Sequence, residues 1–217
     1  MKVMPIRYVR DMAACERFYG ILAGACSYLR PHGDRGLTLD NTPLPPPAEG
    51  DYYTTDAFTD YALRFLGEQK DDNPFFLYLA YNAVHSPLQG ADAYMEAFSH
   101  IEDVQRRIFA AMLSNLDDSI GRVLDYLEEN GLAENTLVIY MSDNGFSFGE
   151  HGLIDKRHMY EESMRIPMLV YAPGLVQPRS AVDEMVLNLD IAPTILDLAG
   201  VAAPSDMDGR SIVPLLR

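Results

Sequence analysis

The chain reads as an α/β protein built on a mainly parallel sheet flanked by helices. Three observations predict this. Short apolar runs recur at PFFLYLAY, TLVIYMS and PMLVYAP, the pattern of buried strands. A long amphipathic stretch over residues 103–129 separates the first two runs. Strands that alternate with helices in this way pack as crossover units, which favours parallel pairing.

The elements follow in order. Residues 1–50 are expected to be irregular, because PHGDRGLTLDNTPLPPPAEG is dense in proline and glycine. A helix is expected over residues 55–66, with Thr55 as its cap and Ala62, Phe65 and Leu66 on its apolar face. Residues 74–81 form the first buried strand. The clearest helix spans 103–129, where Ile108, Met112, Leu116, Ile120, Val123 and Leu127 recur at spacings of three and four, and Gly131 stops it. Residues 136–142 and 167–173 supply two further buried strands, and 190–198 a final short helix.

A net charge of −15 argues against nucleic acid as a partner, since phosphate backbones need a basic footprint. It argues equally against docking on an anionic membrane. No run approaches the roughly 18 apolar residues of a membrane span, and the N-terminus lacks the continuous apolar stretch of a signal peptide. An anionic substrate would be repelled at long range, so any anion site must be local and built from a few fixed cations. The two cysteines, Cys15 and Cys26, form neither a disulfide framework nor a C-x-x-C pair.

Ligands of open α/β sheets gather beyond the carboxyl ends of the strands. The first strand runs into NAVHSPL, which places His85 just past it, and the second runs into DNG, which places Asp143 and Asn144 in the same relative position. A carboxylate beside an amide carbonyl suits a hard cation such as calcium or magnesium, although calcium takes 6–8 oxygens and more ligands are needed. D-N-G is also a common turn sequence. His85 could donate to an anionic oxygen or bond to nearby backbone. Lys156, in GEHGLIDKRHMYEES, could hold a sulfate or phosphate oxygen as a point charge or lie solvated at the surface. A surface role is the simple reading of His151, Arg157 and His158. There is no nucleophile elbow, P-loop or H-E-x-x-H, and no zinc spacing.

Taken together, these loops resemble the sulfatase family. SDNGFSFGEHGLIDKRHMYEESMRIPMLVYAPG (142–174) looks like its second metal loop and the lysine loop that follows. FFLYLAYNAVHSPLQ (75–89) looks like the segment carrying its substrate histidine, and ERFYGILAGACSYL (16–29) is similar to its F-Y-G segment. LDIAPTILDLAGVAAP with MDGRSIVPLL resembles the end of its large domain. The resemblance implies an alkaline-phosphatase-like fold, hydrolysis of sulfate esters and one bound calcium. By position it implies that Asp143 and Asn144 are metal ligands, that His85 contacts the sulfate ester, and that Lys156 grips sulfate. It also implies a glycan or small-molecule sulfate ester as substrate and a periplasmic, extracellular or lysosomal location.

The family's nucleophile is a formylglycine made from the cysteine of C-x-P-x-R, and that motif is absent from this sequence. Cys26, in CSYLR, has Tyr28 where proline belongs and is read as structural or incidental. The family's paired N-terminal aspartates are missing as well. All the losses lie on one side of one point. The expectation is therefore that residues 1–217 are part of a sulfatase catalytic domain lacking its nucleophile segment and C-terminal subdomain, inactive alone, with the other calcium ligands elsewhere. Two competing readings are a phosphoester or phosphonate hydrolase of the same superfamily and a non-catalytic chain that binds sulfated glycan.

Overall fold

Residues 53–69 and 74–217 are described in full by the computed structural model, and 29–32, 36–39 and 42–43 as backbone strands. Cys15, Cys26 and the F-Y-G segment lie outside the described residues. The chain divides into two compact units: Pro74–Tyr78 with Glu134–Arg217, and Leu79–Ala133 with the described parts of Ser27–Asn73.

The second unit starts with strands where irregular chain was expected. β1 (Leu29–His32), β2 (Gly36–Leu39) and β3 (Thr42–Pro43) form an antiparallel sheet in that order, with Arg30 opposite Thr38 and Leu39 opposite Thr42. The prolines explain why a proline-rich run can still pair. Pro31 and Pro43 sit on the two edge strands, where a missing N–H can face away from the ladder, and the central strand GLTL has none.

Helix α1 (Thr54–Glu68) begins at Tyr53, so Thr55 is not its cap. Thr55 lies one residue inside the helix and is buried, and its carbonyl accepts a 2.8 Å hydrogen bond from the Thr59 hydroxyl. Phe58, Ala62, Phe65 and Leu66 form the buried face, at helical spacing. A short helix, α2 (Asp92–Ala97), precedes α3 (Val104–Glu129). Asp103 caps α3 by accepting from the Arg106 N–H at 2.8 Å. Gly131, at φ 66°, ends it: its N–H reaches the Glu128 carbonyl, and Leu132 N–H reaches Leu127. The buried stripe runs Ala111, Met112, Asn115, Leu116, Ser119, Val123 and Leu127. It is rotated from the expected one, leaving Ile108 and Ile120 half-buried, because α1 packs on this side. Asn115 Nδ2 donates to Asp56 at 2.9 Å, and Arg122 pairs with Asp60, fixing the helices in register.

The first unit is built on β4 (Val138–Met141) and β7 (Met168–Tyr171). Their ladder is antiparallel, with Ile139 opposite Val170, so the parallel pairing expected of the sheet is not among the described ladders. Ile139 is fully buried, a contribution of about 1.5–3 kcal/mol. β7 is less buried than expected. Met168 and Val170 pack on the core, while the alternate Leu169 is 63% exposed. Residues 74–81 form none of the strands, although Leu77 and Leu79 are buried as expected and Phe76 and Tyr78 pack on the core of this unit. Helix α5 (Ile191–Leu198) supplies Ile191 and Ile195 to the same core, and Ile212 and Leu216 close it. Between β4 and β7 lie the hairpin β5 (Ser147–Phe148) and β6 (Ile154–Asp155) and the single turn α4 (Glu161–Met164).

Candidate functional site

β4 delivers Asp143 and Asn144 to the end of its strand, as the sequence predicts, and both are half-buried. The D-N-G run is not a hairpin turn, for neither Asn144 nor Gly145 has positive φ. Gly145 is there because space demands it. A Cβ at this position would run into the Glu162 carbonyl oxygen and stand 2.9 Å from its carbon. The Gly145 N–H donates to the Ser163 carbonyl at 2.9 Å, which ties the loop to α4. Ser142 Oγ donates to the Asn144 carbonyl at 2.7 Å, and Asn188 Nδ2 to the Asp143 carbonyl at 3.0 Å. These bonds fix the backbone and leave the Asn144 side-chain oxygen and most of the Asp143 carboxylate available.

The chain then enters β5, reverses, and returns in β6. Ser147 is opposite Asp155 and Phe148 opposite Ile154. In an antiparallel hairpin, the residue entering one strand and the residue leaving the other share an end. The Asp143–Asn144 loop and Lys156 are therefore at the same, open end of one hairpin. Lys156 is half-buried, its N–H donates to Asp155 Oδ1 at 2.8 Å, and its ammonium forms no ion pair among the described residues. Arg157 is exposed, with its Nε 3.3 Å from Asp155. His158 is half-buried. At the tip, Glu150 accepts from its own N–H and from that of Phe148, which holds its carboxyl below the usual value. Phe146 and Phe148 lie on the solvent side with ring centroids 4.8 Å apart.

His85 belongs to the other unit, in an exposed turn after residues 74–81. Its Nδ1 is 2.6 Å from the Ser86 carbonyl, so Nδ1 carries a proton. The backbone partner that sequence allowed is thus present. It uses one ring nitrogen only, and Nε2 remains for a ligand.

Several contributors escape sequence reasoning. Asn188 is 45 residues from Asp143 and carries no local signal. His151 is not a plain surface group: its ring stacks on Tyr160 at 4.0 Å, with Glu162 beside it. For a hard cation, the Asp143 and Asn144 oxygens have the right chemistry and the wrong number. Among the described residues, no group of three or more His, Cys, Asp or Glu could hold a metal.

The profile described as "Sulfatase" matches residues 17–201. The chain belongs to the sulfatase family. It is 46% identical over 110 residues to an N-acetylglucosamine-6-O-sulfatase of Bacteroides thetaiotaomicron, covering 51% of this chain and 20% of that protein. It is 32% identical over 201 residues to the human N-acetylglucosamine-6-sulfatase, covering 76% of this chain and 36% of the other. The crystal structure of Ps i-CgsB in complex with k-i-k-neocarrahexaose superposes with a TM-score of 0.74 at 32% identity, over 82% of this chain and 41% of that one. The fold is the alkaline-phosphatase-like α/β fold that the resemblance implied. The chain spans between a fifth and about two fifths of the length of these proteins.

Proposed function

We propose that this sulfatase-family chain supplies the cation and anion-gripping part of a sulfuric ester hydrolase site, and that residues 1–217 form part of one catalytic domain. The observation that carries the reading is the hairpin, which returns Lys156 to the end where Asp143 and Asn144 emerge. Asp143 and Asn144 would each give one oxygen to a divalent cation, with calcium the ion that their hard donors suit. When bound, such an ion neutralises charge on sulfuryl oxygens. The Lys156 ammonium, free of any ion pair among the described residues, would donate to a sulfate oxygen and stay in place as charge develops on it. As an imidazolium, with Nδ1–H held by the Ser86 carbonyl, His85 would donate from Nε2 to the ester or leaving oxygen. A positive group at a fixed point suits a chain whose net charge of −15 would otherwise repel the substrate.

The names of the relatives support a sulfated amino sugar as substrate, such as an N-acetylglucosamine 6-sulfate unit. An exported or lysosomal setting accords with such a substrate. No helix among the described residues is long and apolar enough to cross a membrane.

The test is release of free sulfate from N-acetylglucosamine 6-sulfate by protein expressed from the complete reading frame that contains this chain. Lys156→Ala is expected to lower the rate by about 10²–10³-fold. Asp143→Ala should make activity depend on added calcium. Full activity in Lys156→Ala would remove the lysine from the mechanism. Release of phosphate from phosphonate or phosphate monoesters, with none of sulfate, would overturn the reaction class.

A further inference from the structure

Lys156 stands midway along a loop whose two ends are gripped together. His151 and Tyr160 close it, their rings stacked 4.0 Å apart with planes 12° from parallel. His151 adopts φ 57°, a backbone conformation that a residue other than glycine takes at a cost. Glu162 backs the imidazole, with both carboxylate oxygens 3.3 Å from Nε2. The same short segment meets the cation loop. The Glu162 carbonyl occupies the space beside Gly145, and the Ser163 carbonyl accepts the Gly145 N–H. Residues 160–163 therefore touch both the loop that carries Lys156 and the loop that carries Asp143 and Asn144.

We propose that His151, Tyr160 and Glu162 are positioning residues: a stacked clamp that holds the Lys156 ammonium at the open end of the hairpin for a sulfate oxygen. The assignment rests on the proposed role of Lys156. The ring stack carries the effect. The His151–Glu162 contact is long and its side chains are 43% and 33% exposed, the range in which ion pairs contribute little.

The sequence supplies a direct readout, because its lysines are Lys2, Lys70 and Lys156. Timed acetylation followed by peptide mass spectrometry gives the Lys156 rate with the other two as internal references. Losing an aromatic pair should open the loop, so His151→Ala is expected to acetylate at Lys156 about two- to tenfold faster than the unsubstituted chain. His151→Phe, which keeps a flat ring, should restore the slow rate, and Glu162→Gln should change it little. Tyr160→Leu removes the ring from the other side and should reproduce His151→Ala, which covers the case in which that variant fails to fold. Equal rates in the unsubstituted chain, His151→Ala and Tyr160→Leu would overturn the proposal, as would His151→Phe labelling as fast as His151→Ala. A second arm adds glucosamine 6-sulfate. It is expected to protect Lys156 in the unsubstituted chain, and less in His151→Ala. If the clamp variants change the rate but the sulfated sugar gives no protection, the loop geometry holds and the anion role of Lys156 falls.

Discussion

Replacing Gly145 by alanine tests the geometry that holds the candidate site together. The added Cβ would meet the Glu162 carbonyl oxygen, with the Glu162 carbon at 2.9 Å and the Ser163 carbon at 3.3 Å. All three obstacles are backbone, so no rotamer change relieves them. Either the 142–145 loop or α4 must move, and the Gly145–Ser163 hydrogen bond would lengthen or break. Overpacking of this kind costs about 1–3 kcal/mol. Loss of the bond adds about 0.5–1.5 kcal/mol. The sum, about 1.5–4.5 kcal/mol, corresponds to a fall in Tm of roughly 3–18 °C for a chain of this size. Thermal and urea unfolding by circular dichroism would measure it. Gly121→Ala is the matched control. Gly121 lies inside α3 with nothing within 4 Å of an added Cβ, so the same substitution there should stabilise by about 0.5–1 kcal/mol. A Gly145→Ala chain that melts with the unsubstituted one, or below which Gly121→Ala falls, would refute the close-approach reasoning.

Further outcomes follow from single bonds. Asp190 is buried and accepts from the Leu187 N–H at 2.8 Å and the Arg210 N–H at 2.9 Å. Asp190→Ala strands both donors and should cost about 3–5 kcal/mol in a urea titration, with Asp190→Asn recovering part. Asn188→Ala removes the tether to the Asp143 carbonyl; about 1 kcal/mol of stability and a weaker response to calcium are expected by calorimetry. Burial, and then its bond to Asp118, raise the Tyr94 hydroxyl above its ordinary value of 10.0. Its contribution is therefore present below pH 10 and lost as pH rises through the folded-state value, because the unfolded tyrosine ionises first. Urea midpoints between pH 9 and 11 should fall less steeply for Tyr94→Phe.

Periodicity carried α3 almost to the residue, since a long helix repeats its burial pattern many times and Asp103 and Gly131 punctuate it. It misjudged Thr55, because a threonine near a helix start reads as a cap, whereas Tyr53 occupies that position and Thr55 is buried in the first turn. It also missed β1–β3, where edge positions make proline harmless. As candidates, Asp143, Asn144, Lys156 and His85 were legible as polar residues placed after apolar runs or in a polar loop. Their alternatives were not separable without coordinates. D-N-G reads as a turn until Gly145 is seen against Glu162, and His151 reads as surface until its ring is seen on Tyr160.

The sequence by itself determined the family, the three longest helices and the chemical groups after the apolar runs, because each is written in short-range pattern. The tertiary structure alone decided that β5 and β6 bring Lys156 back to the Asp143–Asn144 end. It alone decided that Asn188 and residues 160–163 brace that end. Those relations join residues many positions apart through backbone hydrogen bonds and close contacts, which any sequence can make and no local spacing records.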